Sequence, residues 1–399
     1  MTFTKTTLLL VLLFFVSILF SSFFINNFYE DRYVINEFGD RYIYAQRGMW
    51  YINEKTPYSE VFSEYPQIAT YFFALPYIIQ KLTNAETAPQ IMYAYTTIFS
   101  LLMMVFATAS IFLIYKLRVD KKYLSLLMLL PASLYFIHNR YDIIPAFLSL
   151  LSLYLLQKKK FFWATAILAI GVMTKWYLVI LLPIYLTYYF WQTKKINWKM
   201  IIVFTLTTII IIMPTILTAG FDGFLVPYIF HLTRNFNLES TFFILYYVFE
   251  QIGNIYIDSN AMLTFFFLMQ FFIAPLALTS KIKTFEKVIK WSLLSILFFV
   301  FFAKFYSPQW ILWFSPLVII LIKNKRDVLW LILFDLTTYI YFPILYYTIT
   351  EISIIYLLTI IFRTFLFIKL ILPLLLELLN DNLILSYFKK KLIPKTVSN

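Results

Sequence analysis

Apolar runs alternate along the chain with more polar links. Residues 6–25 (TTLLLVLLFFVSILFSSFFI) form the first run. Others lie at 90–115, 123–137, 143–157, 161–174, 177–192, 200–219, 260–279, 291–303, 310–322, 328–348 and 352–376. A spanning helix needs about 20 apolar residues, so the pattern predicts an all-α polytopic membrane protein of about twelve transmembrane helices. The first run has a longer apolar core than a signal peptide and no A-x-A-like cleavage site, which predicts a retained helix. Runs 143–157 and 161–174 fall short of a ~30 Å hydrocarbon core and predict a thinned or protein-lined setting.

Composition agrees with the pattern. Of 399 residues, 62% are AVILMFWYC and 13% are charged, with mean hydropathy +0.79. A soluble domain has about 45–50% apolar and about 25% charged residues, so a water-soluble globular protein is excluded. The absence of Cys removes disulfide frameworks, thiolate metal centres and cysteine nucleophiles, and two His leave little for zinc. Six scattered Gly build no phosphate-cradling loop. The net charge of +13 does not point to nucleic acid, because the charges sit between apolar runs rather than on one soluble face. With no internal repeat, linker or soluble domain, residues 1–399 read as one integral-membrane domain.

Stretches 66–82 and 241–257 are ambiguous, and each extra crossing would invert everything after it. If neither crosses, one side carries Lys5, the clusters at 116–122, 158–160, 194–199, 281–290 and 323–326, and the tail at 389–395. That side then holds 22 basic and five acidic residues, the other nine basic and fourteen acidic. The positive-inside rule makes the basic side cytoplasmic. Residues 26–66 become a first outer loop, 377–399 a basic cytoplasmic tail, and the ambiguous stretches short helices on or dipping into the outer face. The expected location is a prokaryotic plasma membrane, with the I, L, F, Y, K and N bias pointing to an AT-rich genome and an archaeal source.

On this topology the unusual polar clusters share the outer face: the acidic first loop with Asp31, Glu37, Asp40 and Glu64, then HNRYD (138–142), TKWY (174–177), HLTRNFNLES (231–240) and KFYSPQW (304–310). Each has a bland reading. Acidic loops are usually solvated, Arg140 and Asp142 would neutralise one another at a helix end, His231 and Arg234 would cap a surface helix, and Lys175 would snorkel. Convergence of five clusters on one face favours a site instead. Lys, Arg and His beside a bilayer suit a lipid-borne phosphate, and a nearby carboxylate suits deprotonation of an alcohol, which together describe group transfer to a hydroxyl. Deeper in the membrane, Asp335 and Arg363 fall at similar depths on adjacent helices and read as a structural ion pair.

These residues resemble the GT-C superfamily of membrane glycosyltransferases, and within it the polyprenyl-phosphate-mannose-dependent mannosyltransferases, including the catalytic subunit of GPI-anchor mannosylation. Four patches carry the resemblance. Asp40, Tyr42, Tyr44, Ala45, Pro57, Tyr58, Tyr65 and Pro66 fall where the family has an acidic residue, an aromatic helix, P-Y and Y-x-P. NRYDIIPA (139–146), followed by TKWY, is similar to its R-Y-D and K-W-Y-P segments. His231, Arg234, Glu239 and Ser240 match H-x-x-R-x-x-x-x-E-S, and FYSPQWILWFSP (305–316) matches F-S-P-Q-Y-x-x-W-x-x-P. The patches cover about a quarter of the chain. Two positions depart from the family: Phe38 replaces the first acid of D-x-D, and Leu178 replaces a proline.

The resemblance implies a GT-C-like bundle that transfers a hexose, with mannose the first candidate, from a polyprenyl-phosphate donor to a glycan or lipid acceptor, with inversion. Asp40 would be the general base. Arg140, Lys175, Arg234 and Lys304 would hold the leaving phosphate, with His138 and His231 as hydrogen-bonding partners. Asp142, Glu239, Gln309 and Tyr58 complete the substrate-binding candidates. No cofactor is required outright. A divalent cation (Mg or Mn) is compatible, with Glu37 or Asp31 standing in for the missing acid, and an accessory membrane subunit is compatible as well. The competing class is a transporter or flippase of lipid-linked or small anionic solutes, whose usual repeat symmetry and glycine-broken helices are not evident.

Overall fold

The computed structural model describes residues 37–384 apart from 38, 84, 119, 254, 257 and 349–352, with the backbone alone for 251 and 252. The predicted first helix at 6–25, Asp31, Phe38 and most of the basic tail lie outside the described residues. Among those described, every regular element is helical, and β-type contacts are confined to the isolated bridges Pro57–Val61 and Ser280–Asn382.

In chain order the helices are α1 (Gly39–Gly48), α2 (Gln67–Gln80), α3 (Ala88–Leu117), α4 (Pro131–Asn139), α5 (Ile143–Gln157), α6 (Phe161–Val172) and α7 (Leu182–Thr193). They continue with α8 (Trp198–Thr233), α9 (Thr241–Tyr247), α10 (Ser259–Leu278), α11 (Phe285–Phe301), α12 (Ile311–Leu321), α13 (Lys325–Thr348) and α14 (Ile354–Leu379). Five of them, α3, α8, α10, α13 and α14, are long and apolar enough to cross a membrane. The chain is therefore an all-α integral membrane protein. The other helices are too short to span a ~30 Å core alone at about 1.5 Å per residue. Run 123–137 is not one helix: Lys122–Leu129 is 3-10, and Pro131, whose missing N–H suits a first helical position, restarts the chain as α4.

Several helix starts fall where a side chain satisfies otherwise unpaired N–H groups. At α13, Asn324 Oδ1 accepts from Asp327 N (3.1 Å) and Asp327 Oδ2 accepts from Asn324 N (3.2 Å), a reciprocal capping box. Ser240 caps α9 through Phe243 N, and Ser353 caps α14 through Tyr356 N.

Burial sorts the helices. Half of the most apolar stretch of α3 is buried, against 11% in α8 and 17% in α10, so α8 and α10 are the least covered of these by the described residues. Short α5 is sheathed in protein, with Ile143, Ala146, Leu150, Leu153 and Leu156 all buried, which accounts for its length.

Polar contacts gather the links into groups. In one, Arg118 donates to the carbonyls of Ile319 and Ile322, Lys323 pairs with Glu286 (3.1 Å), Lys287 with Asp381 (2.7 Å), and Gln192 bonds the Lys283 carbonyl (2.7 Å). Another holds Glu37, Asp40, Glu64 and the polar links of the predicted outer face. Stretch 66–82 becomes α2, which runs back along the first half of α3, with Tyr77 on Tyr95 and Phe72 on Phe106. Stretch 241–257 gives α9 and a π-helical turn, Val248–Ile252.

The Asp335–Arg363 ion pair does not form. Asp335 accepts instead from Ala132 N (2.8 Å), Ser133 N (3.0 Å) and Ser133 Oγ (2.8 Å), capping α4 where it starts inside the protein. A helix N-terminus offers free donors and a positive dipole end, so it replaces a cationic partner. Arg363 donates to the Glu239 carbonyl and lies over the rings of Tyr306 (4.0 Å) and Tyr341 (4.9 Å). Destabilisation by Asp335→Asn and Arg363→Met is therefore expected to add within about 0.5 kcal/mol in a double-mutant cycle. Strong coupling in thermal unfolding would restore the pair.

Helix α8 runs past the predicted 200–219 because it bends at Gly220 (φ 72°, ψ −178°), and its last stretch packs beside Tyr58 and Phe62. That backbone conformation is essentially restricted to glycine, and a Cβ at Gly220 would meet no atom within 4 Å. Gly220→Ala thus isolates backbone strain and is expected to cost about 1–3 kcal/mol in thermal unfolding. An unchanged melting temperature would remove the strain.

Candidate functional site

Helix α1 buries Arg41, Tyr44, Ala45 and Gly48, a spacing that puts one face inward and leaves Asp40 on its shoulder. Gly48 allows the approach of α1 to α2, since a Cβ there would stand 2.1 Å from the Phe73 carbonyl oxygen. Asp40 is consequently held at the rim of the bundle, with its side chain 28% exposed.

Residues 140–142 link α4 to α5 in too few residues to turn away, so Arg140 and Asp142 both face this rim region. They do not neutralise one another. Arg140, almost fully buried, pairs with Glu37 and with Asp40 (Nε–Oδ2 2.8 Å), while Asn139 Oδ1 accepts from Glu37 N (3.3 Å). Asp142, fully buried, pairs with Lys175 (2.6 Å) and accepts from Trp313 Nε1 (2.8 Å). The Lys175 side chain is 18% exposed, with Nζ 4.7 Å from the Tyr141 ring centre and 4.9 Å from that of Trp313. Aromatic faces and the carboxylate together stabilise an ammonium that would otherwise be expensive at this depth.

The two later basic patches are bonded to each other. Asn237 Nδ2 donates to the Tyr306 carbonyl (2.6 Å) and its Oδ1 accepts from Tyr306 N (2.9 Å). Lys304 Nζ bonds the Leu232 carbonyl (2.9 Å), and the Arg234 guanidinium lies 3.3 Å from the centre of the Phe305 ring. His231 Nε2 bonds the Glu64 carbonyl (3.0 Å), whose side chain holds Arg47 (2.7 Å). Trp176 stacks on Tyr228 (4.4 Å) and meets His231 edge-on. Electrostatic reach ties the groups together: Lys175 feels Asp40 and Arg140, Arg234 feels Glu64 and Asp40, and His231 feels Arg234, Lys175 and Lys304. Asp40, Arg140, Asp142, Lys175, His231, Arg234 and Lys304 therefore form one neighbourhood.

Other expected residues are occupied elsewhere. The Tyr58 hydroxyl donates to the Tyr65 carbonyl (2.7 Å) and contacts Thr70 Oγ1 (2.9 Å), stapling the first loop at a left-handed backbone position (φ 71°). His138 is buried within α4, in electrostatic reach of Arg41, and its carbonyl accepts from Ser100. The Glu239 carboxylate accepts from Tyr356 Oη (2.8 Å), anchoring α14. Gln309 is buried in the 3-10 turn Pro308–Trp310. Sequence reasoning gave no separate role to Trp313, which stood only within the 305–316 patch, and missed Asn237 and Tyr356, since an indole, an amide and a phenol carry no charge to mark them.

The Arg140 guanidinium bridges Glu37 and Asp40 in this structure, and Asp31 lies outside the described residues. No protein-family model matches the chain, and no curated protein matches it.

Proposed function

We propose that this protein is a membrane glycosyltransferase that moves a hexose, with mannose the first candidate, from a polyprenyl-phosphate donor to a hydroxyl of a glycan or lipid acceptor. The observation that carries the reading is the state of Asp40. Among the described residues its two polar contacts, with Arg140 (2.8 Å) and the Tyr44 hydroxyl (3.4 Å), both use Oδ2. Oδ1, on a side chain 28% exposed, has no partner among those residues and suits an acceptor hydroxyl. A fixed carboxylate with one open oxygen beside surface-reachable cations is what a general base in phosphate-leaving chemistry requires.

The acceptor O–H gives its proton to Asp40 as its oxygen bonds the anomeric carbon. The bond from that carbon to the phosphate oxygen breaks, and the electron pair leaves with polyprenyl phosphate. Lys175 has two ammonium protons beyond the one given to Asp142, and Arg234 is held over the Phe305 ring, so both favour the phosphate as its charge grows. Arg140 keeps Asp40 in orientation. Single displacement inverts the anomeric centre, as in inverting glycoside chemistry with the acceptor hydroxyl in place of water. The finer architecture belongs to the same reading: a GT-C-like bundle of about twelve crossings, with the site facing outward from a prokaryotic plasma membrane.

The test is NMR of the product formed by wild-type protein in nanodiscs from polyprenyl-phosphate mannose or glucose and a mixed glycan acceptor. A glycoside of opposite anomeric configuration to the donor is expected. Retention would reject the single displacement, and transport of an intact lipid-linked sugar without transfer would reject the enzyme.

A further inference from the structure

Asp142 is the second carboxylate of the site, and the transfer chemistry leaves one of its oxygens without a task. Oδ1 accepts twice, from Lys175 Nζ (2.6 Å) and Trp313 Nε1 (2.8 Å). Oδ2 is buried with no hydrogen-bond partner among the described residues. The hydroxyls of Tyr141 and Tyr177 are also buried without partners among them. Both phenols feel the charge of Asp142. Their rings belong to the same frame, since Lys175 Nζ lies over Tyr141 and Tyr177 stacks flat on Trp313 (4.0 Å, 3°). A buried carboxylate oxygen without a donor is costly, and such groups in folded proteins are ordinarily matched by a protein group, an ordered water or a ligand.

The chemistry of that match is specific. An ionised carboxylate oxygen only accepts, so it repels a phosphate oxygen and takes an O–H or N–H donor. Lys175, bonded to the same carboxylate, only donates and takes the phosphate. A ligand satisfying both carries a hydroxyl close to an anionic group, as a sugar does when phosphorylated at its anomeric carbon. We propose that Asp142 Oδ2 accepts a ring hydroxyl of the transferred sugar while Lys175 holds the adjoining phosphate. Asp142 is then the residue by which the site tells a sugar-bearing lipid phosphate from a bare one. This assignment rests on the transfer reading above and adds the donor's sugar contact to it.

The experiment is binding to the full chain in nanodiscs, with three probes: polyprenyl phosphate, polyprenyl-phosphate hexose, and the monodeoxy series of that hexose. A hydrogen bond to a charged group is worth on the order of tenfold to a hundredfold in affinity. Wild type is expected to prefer the hexose lipid to the bare lipid by about that factor, and one deoxy position is expected to remove the preference. In Asp142→Asn the ratio of the two affinities should fall to near one. Reading the ratio cancels the general loss caused by disturbing Lys175, and the deoxy series needs no variant at all. Equal binding of every deoxy sugar would show that Oδ2 is served by water and overturn the assignment, as would an unchanged ratio in Asp142→Asn. Intact lipid-phosphate affinity with no sugar preference overturns this inference alone; no lipid-phosphate binding by wild type overturns the transfer reading together with it.

Discussion

Asp40→Asn is expected to lower sugar transfer by about 10²–10⁴-fold, the usual contribution of a positioned general base. The substitution keeps the shape of the side chain and removes its basicity. Arg140 would still be held by Glu37, and the buried face of α1 is untouched, so the melting temperature is expected to change little. Binding of polyprenyl phosphate should survive, because Lys175 and Arg234 do not depend on Asp40 for their positions. Transfer at the wild-type rate would remove Asp40 from the chemistry.

Arg140→Met is expected to be the most damaging change to stability, at about 3–5 kcal/mol, because it leaves the buried Glu37 carboxylate without its ion-pair partner. The Arg140 and Glu37 side chains are only 4% and 8% exposed, so water offers little relief. The double variant Glu37→Gln/Arg140→Met removes both charges and should recover much of the melting temperature while staying inactive, since Asp40 would have lost its orienting partner. Recovery of activity along with stability would make the triad purely structural.

The broad architecture was legible because lipid imposes strong rules. Apolar runs marked the helices, and the partition of basic residues foretold which links meet: Lys323 with Glu286, and Lys287 with Asp381. Helix breaks were less legible. Run 123–137 carries Pro131 as a visible signal, yet apolar residues alone do not distinguish a 3-10 stretch from an α-helix. Partner choice was least legible. Asp335 and Arg363 stood out as costly charges, but the donors that satisfy Asp335 are backbone N–H groups of α4, which have no sequence signature. Likewise Arg140 and Asp142 looked like mutual partners because they are neighbours in sequence. The fold instead sends one to the acids at the start of α1 and the other to Lys175, 33 residues away. Residues of the five polar clusters meet in one neighbourhood, whereas the bonds by which the neutral residues Trp313 and Asn237 lock them emerged only from the packing.

The most direct test of the account is the release of polyprenyl phosphate from polyprenyl-phosphate mannose and glucose, measured side by side for purified wild type and Asp40→Asn with a mixed glycan acceptor. Consumption of one donor by wild type, lost in the variant while lipid-phosphate binding persists, is the expected result. Consumption of neither donor by a wild-type protein that still binds lipid phosphate would contradict the transferase and make solute flux in liposomes the property to measure.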